Sequence, residues 1–573
     1  DFYNTSISDM STRFASEWCI KDCYDAKTLA ALSNISAWGK KKIERIIADN
    51  PDLEKGKLRK LIVSSLASKS DKDKFKKTRQ KLQAVLKRLP IAITVLGAVD
   101  LDSLLASDSS IFQDITGVTT EEYKHFLDVS IIDRDWQKDC IQHTSNKLLG
   151  IGQGSDAKWE VVNLYCNTTE ASPGTPRFLA NGMLDKLPQE IWSDKTKTFC
   201  DPAFANGSFY FLIIDRLMEG LSEVIEDSEE RLKHIIENQV FIYDTNEVPR
   251  LFVRALAELE YNLKERNINP NICYNNLLEE EIKMKFDVVV MNPPYQAAPK
   301  SDKNKGQATG NVIWNKFVEN ALTSWLKEDG LLCAVHPSGW RKPTTQNAKN
   351  HGLFQLMAHE NFMKYLEIHD SKDGVKTFNA GTRYDWYVIE RGVSPENSEK
   401  TIVLDESGET HEVRMFELDW LPNGDLKSLE GVLVSEGGRN SGVIYNRTSY
   451  GADKAWTSHE KSEKYTFPLI HSTPKKGTRY CYSSMNDKGH FGVPKIIFGE
   501  SGINNPIIDV DGKYGMTQGA MALPILDYED GVLASKFLTS GKFQRTLKAC
   551  SWSNFRIDWQ LFTHFKEGFW RDQ

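Results

Sequence analysis

The stretch Asn292-Pro293-Pro294-Tyr295 has the residue types needed to hold a planar amino group. It follows the apolar run FDVVVM, so it begins where a buried strand would end. The two prolines cannot donate backbone hydrogen bonds and keep the chain rigid, while their carbonyls remain acceptors. An Asn oxygen beside such a carbonyl can accept both hydrogens of an NH2 group, and a Tyr ring offers a face for stacking. This chemistry makes the nitrogen of a conjugated amine a better nucleophile.

Two further acidic positions follow apolar runs in the same region. Asp201 opens the segment DPAFANGSF, where Ala205 and Gly207 flank Asn206 in a tight turn before a helix, and small residues there let a ligand approach the backbone. Asp244 follows QVFIY, a place where an acidic residue commonly binds the hydroxyls of a ribose. The segment is neither the six-position dinucleotide fingerprint nor a Walker loop. Ordinary turns and helix caps are the alternative interpretation of both positions.

Alternating strand-like and helix-like runs position these residues between about 166 and 400. The predicted strands are TFCD, QVFIYD, FDVVVMN and GLLCAVHP, and the predicted helices are SFYFLIIDRLMEGL, VPRLFVRALAELEYNL and NVIWNKFVENALTSWL. This alternation predicts βαβ units and a doubly wound α/β sheet. In such a sheet ligands bind beyond the carboxyl ends of the strands, which is where the three motifs lie.

The flanking regions have different residue patterns. Residues 1–165 are predicted to be mainly helical, with the polar stretch KSDKDKFKKTRQK as an internal break or a long charged helix. Residues 401–573 contain short strands broken by Gly, Asn, Asp and Pro, which predicts a β-rich or mixed domain. The sequence therefore predicts three parts: 1–165, 166–400 and 401–573.

Charge is unevenly distributed along a chain whose formal net charge is −7. Residues 40–88 contain 17 Lys or Arg against 6 Asp or Glu. This segment is either a solvated helical face or a helical arm that contacts the phosphates of a nucleic acid.

Bulk properties exclude several classes of protein. The nine cysteines are dispersed and never spaced as CxxC, so neither a disulfide framework nor a metal site is expected. Apolar runs are too short to span a bilayer, and the first residues, DFYNTSISDMSTRF, lack the features of a signal peptide. We expect a cytoplasmic, nucleoid-associated protein with no membrane partner.

Taken together, the motifs resemble those of the amino-directed DNA methyltransferases that use S-adenosyl-L-methionine, specifically the N6-adenine enzymes of restriction-modification systems. Asn292-Pro293-Pro294-Tyr295 matches their catalytic signature fully. Their cofactor loop, Asp-Pro-Ala-x-Gly-x-Gly-x-Phe, is matched by Asp201, Pro202, Ala203, Gly207 and Phe209. The resemblance covers about residues 170–395. Its motif order is similar to the gamma arrangement, which implies a DNA target-recognition domain in 401–573.

The resemblance extends to flanking motifs and also shows two departures. GTPRFLANGMLDKLP is similar to the helix-opening Thr-Pro motif, which implies that Thr175, Pro176 and Phe178 border the methionine end of the cofactor. VHPSGWR and FNAGTRYDWYVIE resemble later motifs of the group. Ala205 replaces the first loop glycine, and Asn276 stands where the family often has an Asp that contacts the cofactor adenine.

The implied reaction is methyl transfer from S-adenosyl-L-methionine to N6 of an adenine flipped out of duplex DNA. Asn292 and the Pro293 carbonyl would accept the N6 hydrogens, and Tyr295 would stack on the base. Tyr384 or Trp386 would close the other face, with Phe378 as a third choice. The implied cofactor-binding residues are Thr175, Phe178, Asp201, Ala203, Gly207, Asp244 and Asn276.

Specificity would come from 401–573, where STPKKGTRY and GKFQRTLKACSWSNFR mix basic and aromatic residues. A separate restriction or specificity subunit is compatible with this reading. Three alternatives stay open: a bifunctional restriction-modification enzyme with a nuclease in 1–165, a protein or RNA methyltransferase, and a catalytically silent DNA-binding protein that keeps the fold.

Overall fold

The structure is a computed structural model that describes residues 36–572, with the exception of 54, 67, 129–133, 154–155, 167–173, 281–283, 297–311, 345–350, 394–399, 426–428, 430–431, 435–437 and 553–555. The described residues form two compact units. The first takes the chain up to His336, with Val375–Ala380 and Trp386–Gly392. The second takes Pro337–Gly374, Gly381–Asp385 and the chain from Val393 onward. The division into 1–165, 166–400 and 401–573 stays a prediction.

The first unit begins with helices, as the sequence predicts for this region. They are α1 (Ala37–Asp49), α2 (Lys55–Ser65), α3 (Lys69–Leu96), α4 (Leu101–Leu105), α5 (Ser109–Thr116), α6 (Thr120–Asp128), α7 (Arg134–Leu149) and α8 (Ala157–Cys166). The polar stretch KSDKDKFKKTRQK lies within α3, so it is a long charged helix and not a break. The helix starts at Ser68, whose side chain accepts the N–H of Asp71, and ends at Gly97 in the left-handed conformation. Its second half is buried at helical spacing, through Leu82, Val85, Leu86 and Leu89.

A parallel sheet follows in the same unit. Its strands are β1 (Phe199–Asp201), β2 (Val240–Asp244), β3 (Asn271–Tyr274), β4 (Phe286–Met291) and β5 (Leu326–Pro337). The helices around them are α9 (Arg177–Leu184), α10 (Ser208–Gly220), α11 (Ser228–His234), α12 (Glu247–Tyr261) and α13 (Trp314–Asn320), and a π-helical turn at Ala321–Trp325 extends α13. All four predicted strands and all three predicted helices are present.

The strand order is β3-β2-β1-β4-β5, and every neighbouring pair in this set is parallel. This arrangement confirms the predicted α/β class. From β1 the chain adds β2 and β3 on one side, and from β4 it adds β5 on the other side. The β1–β4 pair is therefore the topological switch point of these strands. Phe199 pairs with Val288 and Cys200 with Val289, so β1 and β4 end side by side. The motifs that follow them therefore share one edge of the sheet.

Later elements are α14 (Leu353–Ala358), β6 (Phe362–His369), α15 (Ser371–Phe378), β7 (Tyr384–Glu390), β8 (Thr401–Leu404) and β9 (Thr410–Val413). In the second unit β6 pairs with β8 in parallel, and β8 pairs with β9 antiparallel.

The C-terminal part of the second unit contains two small sheets, in agreement with the predicted β-rich or mixed region. The first consists of β10 (Thr457–Ser458), β11 (Phe467–Ser472), β12 (Arg479–Ser483) and β15 (Gly515–Met516). The second consists of β13 (Lys495–Gly499), β14 (Gly502–Asp509) and β16 (Ala520–Pro524). The helices α16 (Tyr528–Leu538), α17 (Gly541–Ala549) and α18 (Trp559–Thr563) complete this part, and an aromatic core includes Phe498, Phe543, Phe562, Phe565 and Phe569. No described helix is both long and apolar enough to cross a membrane.

Candidate active site

The loop from Asp201 to Ser208 joins β1 to α10 through backbone conformations that favour glycine. Gly207 has φ +76°, and a Cβ there would lie 2.9 Å from Cγ2 of Val253, so both the conformation and the space require glycine. Ala205 also adopts a left-handed φ of +45°. The alanine at the first glycine position of the motif therefore keeps a backbone conformation that glycine adopts readily.

Asp244 at the end of β2 is connected to this loop. Its Oδ2 accepts the N–H of Ala205 at 3.3 Å, and its Oδ1 accepts the N–H of Asn246 at 2.9 Å. Burial raises the pKa of the Asp244 carboxyl, although these N–H groups act in the opposite direction. The backbone carbonyl of Asp244 accepts the N–H of Asn275, which places the turn after β3 beside it.

Asp201 is the most strongly perturbed acid of the site. Its carboxylate is buried at the end of β1 and accepts the N–H of Ala203 at 3.1 Å. The pKa of Asp201 is raised to about 8, mainly by burial and also by the nearby charge of Asp244, against the effect of the Ala203 N–H. Asp201 is therefore mostly protonated at neutral pH. A cationic group bound beside it would favour the ionised form.

The Thr-Pro segment before α9 is joined to the same loop. Thr175 is buried, and its carbonyl accepts a hydrogen bond from the Ser208 hydroxyl at 2.6 Å. The Asn206 amide donates to the same hydroxyl at 2.8 Å and lies 3.5 Å from the Thr175 carbonyl. Phe178, in the first turn of α9, is 48% exposed. Sequence reasoning did not identify the role of Ser208, because a serine that begins a helix has no distinguishing pattern.

Asn276 follows β3 and folds back on its own turn. Its side-chain oxygen accepts the N–H of Leu278 at 3.2 Å, which is the hydrogen bond of an ordinary Asx turn. Its amide nitrogen remains suited to donate to a ligand acceptor. Tyr274, which pairs with Asp244 in the register of β3 and β2, presents an exposed ring at this edge.

The four residues of the catalytic signature follow β4 directly. Asn292 and Pro293 are buried, while Pro294 and Tyr295 are partly exposed. The Tyr295 carbonyl accepts the N–H of Ile313 at 3.3 Å, and a bridge between Gln296 and Val312 follows it. Burial raises the pKa of the Tyr295 hydroxyl, which has no hydrogen-bond partner among the described residues. This loop is thus joined to Val312 and Ile313, and Tyr295 is a partly exposed residue with a buried hydroxyl.

The aromatic candidates for the second face of the target base are more deeply buried. Tyr384 is 1% exposed, its hydroxyl donates to Asp373 at 2.5 Å, and its ring stacks on His369 with centroids 4.4 Å apart. Trp386 is also buried, and Phe378 is half-buried at the end of α15. The stacking role of these residues stays a prediction.

His336, near the end of β5, has the surroundings of a structural residue. It is fully buried, its Nε2 lies 2.8 Å from the Tyr387 hydroxyl, and its ring stacks on Trp314 at 4.1 Å.

A buried ion pair that sequence reasoning missed joins the two later motifs. Arg341, from VHPSGWR, forms hydrogen bonds of 2.7 and 3.0 Å with Asp385, from TRYDWY, and both side chains are fully buried. Asp385 also accepts the Trp340 indole N–H at 2.8 Å. Removing either partner would leave an uncompensated buried charge. The one available signal was an Arg and an Asp inside two motifs that are rich in aromatic residues.

Comparison with known proteins finds a family model that part of the chain matches. Residues 180–373 match the family model described as Eco57I restriction-modification methylase. The expected resemblance to restriction-modification methylases is therefore confirmed over this segment.

A curated relative is the uncharacterized adenine-specific methylase of Mycoplasma pneumoniae (strain ATCC 29342 / M129 / Subtype 1). It is 31% identical over 252 residues, an alignment that covers 32% of this chain and 58% of that protein. The chain thus spans somewhat more than half the length of this relative.

Among solved structures, the type IIL restriction-modification enzyme MmeI in complex with DNA matches with a TM-score of 0.45 and 11% identity, over 83% of this chain and 79% of that one. The type I restriction-modification methyltransferase subunit from Streptococcus thermophilus matches with a TM-score of 0.36 and 12% identity, over 72% of this chain and 92% of that one.

Proposed function

We propose that the chain is a site-specific DNA methyltransferase, which transfers a methyl group from S-adenosyl-L-methionine to N6 of an adenine flipped out of duplex DNA. The observation that carries this proposal is the shared sheet edge at the switch point. Asp201 ends β1, and Asn292 follows the neighbouring β4, so a cofactor bound at the first would face a base held at the second. The match of residues 180–373 to restriction-modification methylases supports the same assignment.

The residues after β1, β2 and β3 fit the cofactor. Asp244 would accept the ribose hydroxyls, and the left-handed backbone at Ala205 and Gly207 lets the cofactor approach the main chain. Asp201 would pair with a cationic group, which would compensate the buried negative charge of its ionised form. Thr175, Phe178, Ala203 and Asn276 would complete the contacts. Bound S-adenosyl-L-methionine supplies the electrophilic methyl carbon on its sulfonium.

The signature after β4 would act on the adenine. The Asn292 side-chain oxygen and the Pro293 carbonyl would accept the two N6 hydrogens and stabilise the positive charge that develops on nitrogen. Tyr295 would stack on the base, which must leave the duplex to reach this site. The rigid loop therefore contributes mainly alignment of the nucleophile with the methyl carbon.

Duplex DNA would also be contacted outside the catalytic loop. The N–H and hydroxyl of Ser36 donate to Asp71 at 3.0 and 2.6 Å, which joins the start of α1 to the start of α3. Lysines follow both helix starts, at Lys40, Lys41, Lys42, Lys69 and Lys72. Such a basic surface is suited to contact the phosphates of duplex DNA. A domain in 401–573 would recognise the DNA sequence to be methylated. A separate restriction or specificity subunit is compatible with this arrangement.

The test is incubation of the purified protein with mixed-sequence duplex DNA and methyl-labelled S-adenosyl-L-methionine, without added metal, followed by nucleoside analysis and electrophoresis. We expect label in N6-methyladenine on intact DNA. Asn292→Ala should lower turnover by at least about 100-fold, because it removes the hydrogen-bond acceptor that stabilises the positive charge developing on nitrogen. Cofactor affinity should stay nearly unchanged.

The matched control is Asn269→Ala, which alters an exposed asparagine after α12 in the same unit. It should keep wild-type turnover. Wild-type turnover in Asn292→Ala would contradict the catalytic assignment. Absence of label in DNA, with cofactor binding intact, would contradict the proposed substrate.

A further inference from the structure

Glu500, the residue after β13, is buried and fixed by its backbone as well as its side chain. Its N–H donates to the carbonyl of Gly519 at 3.1 Å, and its carbonyl accepts the N–H of Ile557 at 2.7 Å. These two bonds place the segment that carries Arg556 against the end of β13. All residues of the cluster belong to the second unit. A buried carboxylate in such a position requires polar partners.

The two carboxylate oxygens of Glu500 serve two different arginines. Oε1 lies 3.2 Å from Nη1 of Arg556. Oε2 accepts the Tyr445 hydroxyl at 3.3 Å, and that hydroxyl accepts Nε–H of Arg447 at 2.8 Å. The ring of Tyr445 also stacks on Trp559, with centroids 5.8 Å apart. Glu500 thus orients Arg556 directly and Arg447 through a tyrosine that is itself held in place.

Among the described residues, most of the N–H donors on these two arginines have no hydrogen-bond partner. In the described part of the chain, Arg447 donates one hydrogen bond, from its Nε, and Arg556 forms an ion pair with Glu500 through its Nη1. Arg447 is exposed, and the side chain of Arg556 is 53% exposed. A guanidinium has five N–H donors in a fixed plane, so each arginine keeps a pair of donors for a ligand. Such pairs match the O6 and N7 acceptors of guanine and also the oxygens of a phosphate.

Electrostatics distinguishes between these two ligands. The hydrogen bond to Tyr445 raises the pKa of Arg447, and the carboxylates of Glu500 and Asp558 raise it further. These carboxylates offset part of the positive charge, which weakens attraction to a phosphate. Both ligands can accept a bidentate contact from Arg, but phosphate binding draws more of its affinity from charge, whereas readout of a base edge depends on a fixed geometry, which Glu500 supplies.

We propose that Arg447 and Arg556 contact guanine edges in the recognition sequence and that Glu500 is the residue that positions them. The inference rests on the proposed function, because it assigns part of the specificity of that enzyme. Its partner is a guanine in the major groove of duplex DNA.

The test selects bound duplexes from a pool with randomised sequence, which requires no methyl transfer. Wild-type protein should enrich a sequence that contains guanine. Arg447→Ala and Arg556→Ala should each lose the preference at one guanine, by about 5- to 150-fold, while preferences at the other positions remain. Tyr445→Phe should relax the position read by Arg447 and leave the position read by Arg556 unchanged. Glu500→Gln should weaken the preference at both positions.

Arg439→Ala is the matched control, because Arg439 is an arginine of the same unit whose side chain is 88% exposed. It should leave the selected sequence unchanged. Thermal unfolding of each variant separates lost positioning from lost folding, since a merely structural role of Glu500 would lower stability without changing the selected sequence.

Three outcomes would overturn the proposal: no enrichment by wild-type protein, an unchanged sequence in both arginine variants, or a uniform loss of affinity across all sequences, which marks phosphate contacts. Methylation by wild-type protein with any of these results rejects the guanine contacts and leaves the proposed function standing. Enrichment that depends on the arginines without methylation rejects the function alone.

Discussion

The backbone N–H of Ala205 donates to the carboxylate of Asp244 at 3.3 Å, although Ala205 itself adopts a left-handed φ of +45°. The hydrogen bond joins the loop after β1 to the end of β2. An alanine pays a conformational cost there that a glycine would avoid. The departure from the family motif thus preserves the loop conformation and costs stability.

Ala205→Gly should therefore stabilise the protein. Glycine adopts the left-handed conformation without the strain of alanine, which raises the free energy of unfolding by about 1–2 kcal/mol. The added freedom of the unfolded chain lowers the same free energy by about 0.4–1 kcal/mol. We expect a net rise of about 0.5–1 kcal/mol in the free energy of unfolding, measured by urea denaturation. Cofactor affinity should change less than about twofold, because the N–H to Asp244 is retained. A lower free energy of unfolding would show that the alanine methyl group makes necessary contacts.

Gly207→Ala should have the opposite effect. The new alanine would have to adopt a left-handed φ, and its Cβ would lie 2.9 Å from Val253. We expect the free energy of unfolding to fall by about 1–3 kcal/mol. Cofactor affinity should fall as the loop shifts. Gly182→Ala is the control, because Gly182 lies within α9 and a Cβ there meets no atom within 4 Å. That variant should gain about 0.5–1 kcal/mol. Equal effects of the two changes would contradict the assigned role of the loop.

Cofactor affinity should depend on the titration of Asp201. Its pKa of about 8 in the folded protein lies above its ordinary value of 3.8, so the folded state holds a proton that the unfolded state has lost between these values. Unliganded stability should accordingly fall as pH rises from about 4 to 8. A cationic ligand group favours the ionised form, so affinity should rise by up to about tenfold per pH unit up to pH 8 and then level off.

Calorimetry of S-adenosyl-L-methionine binding at several pH values measures this dependence, with Asp201→Asn as the comparison. The variant should lose the pH-dependent gain in affinity. Parallel pH profiles of the two proteins would exclude Asp201 as the titrating group.

Tyr295 offers a test that separates its ring from its hydroxyl. The hydroxyl has no hydrogen-bond partner among the described residues, so Tyr295→Phe should keep turnover within about twofold and should not lower stability. Tyr295→Ala removes the stacking face, worth about 1–3 kcal/mol per base, and should weaken methylation by about 5- to 150-fold. Methylation rates on one DNA duplex measure both effects. A large loss of methylation rate in Tyr295→Phe would show that the hydroxyl takes part in the reaction.

Much of this architecture could be predicted because its determinants are local. Runs of apolar residues such as Val288–Val290, ended by polar or proline residues, identify strands in one sequence window, and the carboxyl-edge rule then groups Asp201, Asp244 and Asn292. The left-handed backbone of Ala205 could not be predicted, because its residue type argues against it.

The burial of particular side chains and their contacts with distant residues could not be predicted from the sequence either. Alternation along β7 places Tyr384 and Trp386 on one face, but it does not say what covers them, and the stack on His369 is visible only in the fold. Likewise, Glu500 meets Tyr445 and Arg556 from distant parts of the chain, and no spacing rule relates residues so far apart.

The division of the chain into two units limits how either unit could be exchanged for the corresponding part of another protein. The chain passes from one unit to the other after His336, Gly374, Ala380, Asp385 and Gly392, so no single cut separates the units. A fragment beginning at Thr401 would leave β8 without β6, its parallel neighbour through the pair Tyr365 and Ile402. A hybrid that exchanges a whole unit must therefore be assembled from several interleaved segments, or else replace only loops within one unit.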